Sequence, residues 1–214
     1  MGINKIREYI MVKDGFSHAK LEEVGCYDYT GDLKHTNCIY EMLNKIFRMD
    51  SLINEVTYVV AFDHTKMPKG ICKVGQGGLG ETPVPMQSVF TFLLLTGASS
   101  FIITHNHISN MPEASESDKM TTKMTGMLAT TFDIEFIGHM IINPYGYIID
   151  GGTMDGTIVE LDEYGDLVDW TDWDKDECCD NDVLPGKLES IHITSENVCE
   201  VVKTLRERAE RGGF

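Results

Sequence analysis

The sequence predicts an α/β fold, with a mixed sheet flanked by helices and an acidic C-terminal extension. Three observations carry that expectation. β-branched and aromatic runs occupy residues 55–63, 100–104 and 134–142, each of a length suited to a buried strand. Between them lie stretches with the 3.6-residue period of amphipathic helices. After residue 151 the composition changes in kind: residues 151–182 hold 12 acidic side chains and one base, Lys175, which is about -11 of the whole formal charge of -16.

Residues 1–35 are punctuated by glycine and read as an irregular N-terminal extension. From 36 to 49, Ile39, Met42, Leu43, Ile46 and Phe47 recur at offsets of 3, 4, 7 and 8, the apolar stripe of a helix capped by Thr36 or Asn37. The run 55–63 is a buried strand, and His64 to Lys69, with Pro68, turns it into a second strand at about 70–75. Glycines at 75, 77, 78 and 80 make an irregular link to a helix with Val84, Phe90, Leu93 and Leu94 that stops near Gly97. Strand 100–104 then runs into His105-Asn106-His107, and a polar loop with Pro112 leads to a helix carrying Met120, Met124, Met127 and Leu128. Residues 134–142 and 147–149 flank the turn Asn143-Pro144-Tyr145-Gly146 as a closing hairpin. The core domain therefore spans 36–151. Residues 152–214 form an acidic segment and a Ser195-capped C-terminal helix. Trp170 and Trp173 within that segment point to docking on the core or on a basic partner.

The chain has 214 residues, 42% apolar and 24% charged, a composition that supports a folded core. With 34 acidic against 18 basic side chains, most faces repel a phosphate backbone or an anionic lipid surface, so non-specific nucleic-acid binding and a membrane partner are disfavoured. No apolar run reaches the roughly 20 residues of a membrane helix, and no apolar signal core follows Met1; a cytoplasmic protein is expected. Cys26, Cys38, Cys72, Cys178, Cys179 and Cys199 are scattered and lack the two-residue spacing of a zinc ribbon, so free thiols are expected.

The chemistry concentrates after the strand at 100–104. Two histidines one residue apart at a strand end point to the same side, because side chains alternate with period 2. If Ser115 caps the next helix, Asp118 lies in its first turn and faces back toward His105 and His107. Two imidazoles, one carboxylate and an open position make a catalytic Zn2+ site. The Ser-x-x-Asp spacing is equally a helix-capping pattern.

The string from His105 to Asp118 resembles the RadC-like branch of the JAB/JAMM (MPN) metallopeptidase superfamily, whose motif reads His-Asn-His-Pro-Ser-Gly-x-Pro-x-Pro-Ser-x-x-Asp. His105, Asn106, His107, Ser109, Pro112, Ser115 and Asp118 match in register, while Ile108, Asn110 and Ala114 replace a proline, a glycine and a second proline. The likeness extends over about 36–151. It implies a JAB/MPN fold with cytidine-deaminase-like layering, zinc held by His105, His107 and Asp118, and Ser115 hydrogen-bonding the oxyanion of an attacked amide. It also implies a glutamate on an earlier strand as general base. An ungapped count back from His105 puts Cys72 or Lys73 in that place, and the nearest carboxylates in sequence are Glu55, Asp63 and Glu81. Glu81, in the Gly-rich link, is the candidate substitute base; as a surface carboxylate near a helix start it needs no such role.

The resemblance implies a zinc-dependent hydrolase of amide or isopeptide bonds acting on a protein or peptide, a ubiquitin-like conjugate among them. Two rivals stand beside it: a metal-binding but catalytically impaired interaction module, and a DNA-repair or mobile-element accessory protein. The sequence leaves the oligomeric state undecided.

Overall fold

The computed structural model describes residues 2–77, 84–108, 113–161 and 167–169. Glu81, Ser109, Pro112, both tryptophans, Cys178, Cys179, Cys199 and the helix expected after Ser195 lie outside the described residues.

The sheet grows from the middle outward. β3 (Val56–Phe62) and β5 (Ser100–Asn106) are buried at every position, because helices cover both faces and both sets of alternating side chains need apolar surroundings. They pair antiparallel, Thr57 opposite His105 and Val59 opposite Ile103. On the far side of β3 lies β4 (Pro68–Gln76), the hairpin partner expected from the turn at 64–69. On the far side of β5 lies β6 (Glu135–Asn143), in parallel. A parallel pair needs a crossover, and α3 (Glu116–Phe132) supplies it. β7 (Gly146–Asp150), β8 (Ile158–Leu161) and β9 (Leu167–Asp169) continue the sheet antiparallel.

The opening stretch departs from its sequence reading. Residues expected to be irregular form a hairpin of β1 (Asn4–Lys13) and β2 (Ala19–Tyr29), with β1 parallel to β4. Among the described residues the order is β2-β1-β4-β3-β5-β6-β7-β8-β9. Both faces of the hairpin are largely wet, so the apolar/polar alternation that flags a strand is blurred. Cross-strand polar pairs line it instead: Lys5 with Asp28, Arg7 with Glu23, and Tyr27 donating to Glu8.

Two apolar clusters lie on the two faces. α1 (Thr36–Phe47) sets Ile39, Met42 and Leu43 against Tyr58, Val60, Ile102 and Met140. α2 (Met86–Thr96) and α3 cover the other face, with Val89, Phe92 and Ala129 on Val59, Phe101 and Ile103. Gly97 ends α2 at φ 60 as expected, its N–H bonded to Leu93 and Leu94 carbonyls. Cys26, Cys38 and Cys72 are free thiols. Among the described residues no helix is long and apolar enough to cross a membrane.

Candidate metal centre

The site forms where β5 leaves the sheet beneath the first turn of α3. His105 is in the last turn of alternation on β5, on the side of Phe101 and Ile103, hence on the α2/α3 face. His107 follows on the same side, its N–H bonded to the Ile142 carbonyl at 2.8 Å, which carries the β5–β6 pairing one step further. Above them Ser115 is the N-cap of α3. Its hydroxyl accepts from the Asp118 N–H at 3.1 Å, and the Asp118 carboxylate accepts from the Ser115 N–H at 2.8 Å. This reciprocal capping box fixes the carboxylate in the first turn, pointing back at the strand end as the spacing predicts.

The geometry brings the three expected ligands together. His105 Nε2 and His107 Nε2 each lie 3.3 Å from an oxygen of Asp118, and one donor atom from each residue falls within 4.8 Å of the others. Zinc bonds of about 2.0–2.1 Å set tetrahedral ligands about 3.3 Å apart, the distance of each imidazole from the carboxylate, so the donor set is of the right kind and close to the right spacing for zinc. The side chains of His107 and Asp118 retain 13% and 16% exposure, which leaves this side accessible to water.

The electrostatics favour the ligating forms. Burial, then His139, hold the His105 imidazole well below its ordinary value, so it is neutral and has a lone pair to offer. For the Asp118 carboxyl burial pushes upward, but the His107 hydrogen bond and two bonds from Ser115 outweigh it and hold it well below the carboxylate range. Ser115, expected on the oxyanion, has its hydroxyl directed at Asp118 in this arrangement, 2.5 Å from Oδ2.

The strand positions suggested by the ungapped count do not reach the site. Val59 pairs with Cys72 on one side and Ile103 on the other, so β3 separates Cys72 from β5. Cys72 is sealed in the apolar cluster under α2, and Lys73 bonds Gln76 at the surface. Of the carboxylates near in sequence, Glu55 heads the strand that does pair with β5. It immediately precedes β3, and its carbonyl accepts from Gly77 N–H at 2.8 Å, extending the ladder to β4. It lies two residues before Thr57, the partner of His105 in the β3–β5 pairing. Alternation assigns it to the face of Thr57 and Val59, which is the face of the histidines. Asn106, whose side chain points to the other face, holds this stretch: its Oδ1 accepts from Val56 N–H at 2.8 Å and its Nδ2 donates to the Asn54 carbonyl at 3.1 Å.

A family model described as RadC-like JAB domain matches residues 33–149, more than half of the chain. The chain belongs to the RadC-like JAB domain family. Curated relatives match over 91 to 103 residues. A UPF0758 protein of Flavobacterium johnsoniae is 27% identical over 103 residues, 47% of this chain and 45% of that protein. One of Salinibacter ruber is 33% identical over 91 residues, 42% and 39% of the two chains. One of Clostridium acetobutylicum is 30% identical over 101 residues, 47% and 44%. The matched stretch is thus less than half of each relative's length.

Proposed function

We propose that the protein is a zinc-dependent hydrolase of amide or isopeptide bonds, acting in the cytoplasm on a protein or peptide such as a ubiquitin-like conjugate. One observation carries the reading: two imidazoles and a carboxylate converge within 4.8 Å of one another, with the site open to water and a further carboxylate, Glu55, just before the adjacent strand. His105, His107 and Asp118 would hold the ion. Zinc at this place supplies Lewis acidity, polarising an amide carbonyl and lowering the pKa of water to about 7. The chain's own groups do the rest. Glu55 takes a proton from the attacking water and passes it to the leaving amine. Ser115, freed from Asp118 by a turn of its hydroxyl, donates to the oxyanion while its lone pairs continue to cap α3. The formal charge of -16 favours a protein substrate over the DNA-associated role with which family membership is also compatible.

Metal content measured beside turnover of a ubiquitin-like or peptide amide tests this. His105→Ala, His107→Ala or Asp118→Ala each removes zinc and activity together, since two protein ligands are too few to retain the ion. Glu55→Gln keeps one zinc per chain and lowers turnover about 10²- to 10⁴-fold. Wild-type turnover in Glu55→Gln moves the base elsewhere, with Glu81→Gln the next variant. A zinc-loaded wild type that turns over no amide makes the impaired-module reading the better one.

A further inference from the structure

His139 is fully buried and is no ligand in the donor cluster, yet it touches one. Its Nε2 is 2.8 Å from His105 Nδ1, and its Nδ1 is 2.9 Å from Thr122 Oγ1. Thr122 in turn donates to the Asp118 carbonyl at 2.9 Å. The chain closes a ring from one expected ligand, through two side chains, to the helix turn of another.

We infer that His139, backed by Thr122, is a positioning residue that holds His105 in its Nδ1–H tautomer and keeps its Nε2 lone pair aimed at the metal position. This rests on the metal-centre reading above. The direction of the protons follows from counting donors. Thr122 has one hydroxyl proton, and a backbone carbonyl can only accept, so the proton goes to Asp118. Asp150, the cross-strand partner of His139, is a second acceptor for the same hydroxyl. Thr122 therefore presents a lone pair to His139 Nδ1, which must carry the proton. A neutral buried imidazole has one N–H, so His139 Nε2 is bare and accepts from His105 Nδ1–H. The remaining nitrogen, His105 Nε2, is then bare and faces the Asp118 carboxylate at 3.3 Å. A lone pair opposite an anion is repulsive until a cation lies between them.

The backbone is shaped for this contact. Between Phe101/Phe136 and Ile102/Gly138 the β5–β6 register skips a residue. Without that bulge, alternation would put Phe136 and His139 on opposite faces; with it, His139 lies beside Ile103 on the face of His105. Gly138 makes the bulge at φ 157, where a Cβ would run into Ile149 and come 2.9 Å from the Gly151 carbonyl.

The test uses the full chain, zinc, and cobalt as a spectroscopic substitute. Thr122→Val and His139→Phe are expected to bind zinc about 10- to 100-fold more weakly and to alter the cobalt d–d spectrum. Thr122→Ser stays near wild type, and His139→Gln, whose Oε1 can accept from His105, recovers part of the loss. Long-range ¹H–¹⁵N spectra of the wild type should show His105 and His139 both protonated at Nδ1, with or without zinc. Wild-type zinc affinity and an unchanged cobalt spectrum in Thr122→Val overturn the inference, as does a protonated His105 Nε2 in the zinc-loaded protein. If His139→Phe fails to fold, the two Thr122 variants decide. A wild type that binds no zinc overturns the metal centre as well, which separates that failure from this one.

Discussion

Asn106 places one peptide clamp on both sides of Glu55, and its removal separates metal binding from catalysis. Asn106→Ala leaves His105, His107 and Asp118 untouched, so zinc should stay near one per chain by elemental analysis. Turnover should fall as Glu55 loses its fixed place. The buried N–H of Val56 also loses its partner, at about 1–3 kcal/mol if unsatisfied, a cost that urea titration reads. Loss of zinc in Asn106→Ala would show that the clamp holds the ligands rather than the base. Cysteine reactivity gives an independent check on the strand order. Burial, then the charge of Glu8, push the Cys72 thiol up to about 11, so at pH 8 only about 0.1% is thiolate. Iodoacetamide at pH 8 should label exposed Cys26 and spare Cys72 in the native chain, as peptide mass spectrometry can follow. These contrasts mark what was legible. The two histidines and Asp118 could be read because an alternating strand and a capped helix are local geometries that spacing encodes. Glu55 does not come out of an ungapped count, because β3 is set beside β5 by pairing across some 50 residues, and the count took β4 for the strand beside β5.

At the scale of the element, α3 turns the opposite way from its apolar residues. Met120, Met124 and Met127 face solvent at 69%, 49% and 66% exposure, while Thr122, Thr125 and Ala129 are buried. The small face allows the helix to lie close on β6, and its polar atoms are satisfied locally: Thr125 donates to the Thr121 carbonyl, Thr122 to that of Asp118. Threonine is therefore core here, which hydropathy does not reveal. α1 shows the ordinary case, with Ile39, Met42 and Leu43 inward as its period predicts. Met120→Gln and Met124→Gln should each change unfolding free energy by less than about 0.5 kcal/mol. Thr125→Leu, forced into a filled interface, should cost about 1–3 kcal/mol. Ser115→Ala should cost about 1 kcal/mol through the cap alone. Urea denaturation orders the four variants, and a large loss in Met124→Gln would mean that the methionine stripe is covered in solution.

For the molecule as a whole, the centre ties together pieces distant in the sheet's assembly. β5 and its histidines belong to the parallel pair with β6, and Asp118 belongs to the crossover helix between them. The mixed α/β layering was legible because the central strands β3, β5 and β6 are rich in β-branched and aromatic residues; the β1–β2 hairpin was not, because it is an edge pair whose polar side chains carry much of the contact. Unfolding separates His107 from Asp118 across a polar loop and disperses the ligands. On the proposed reading, zinc would therefore bind the native state selectively and stabilise it by mass action. At a free zinc concentration 100 times the Kd, the gain is about 2.7 kcal/mol. For a chain of this size 1 kcal/mol moves Tm by about 2–4 °C, so zinc should raise Tm by about 5–11 °C. A chelator should reverse the shift, and His107→Ala, with one ligand gone, should show little of it. Scanning calorimetry at several zinc concentrations measures this, because Tm must rise with the logarithm of free zinc above Kd. A Tm that ignores zinc in the wild type, or rises equally in His107→Ala, would place any bound zinc away from these three residues.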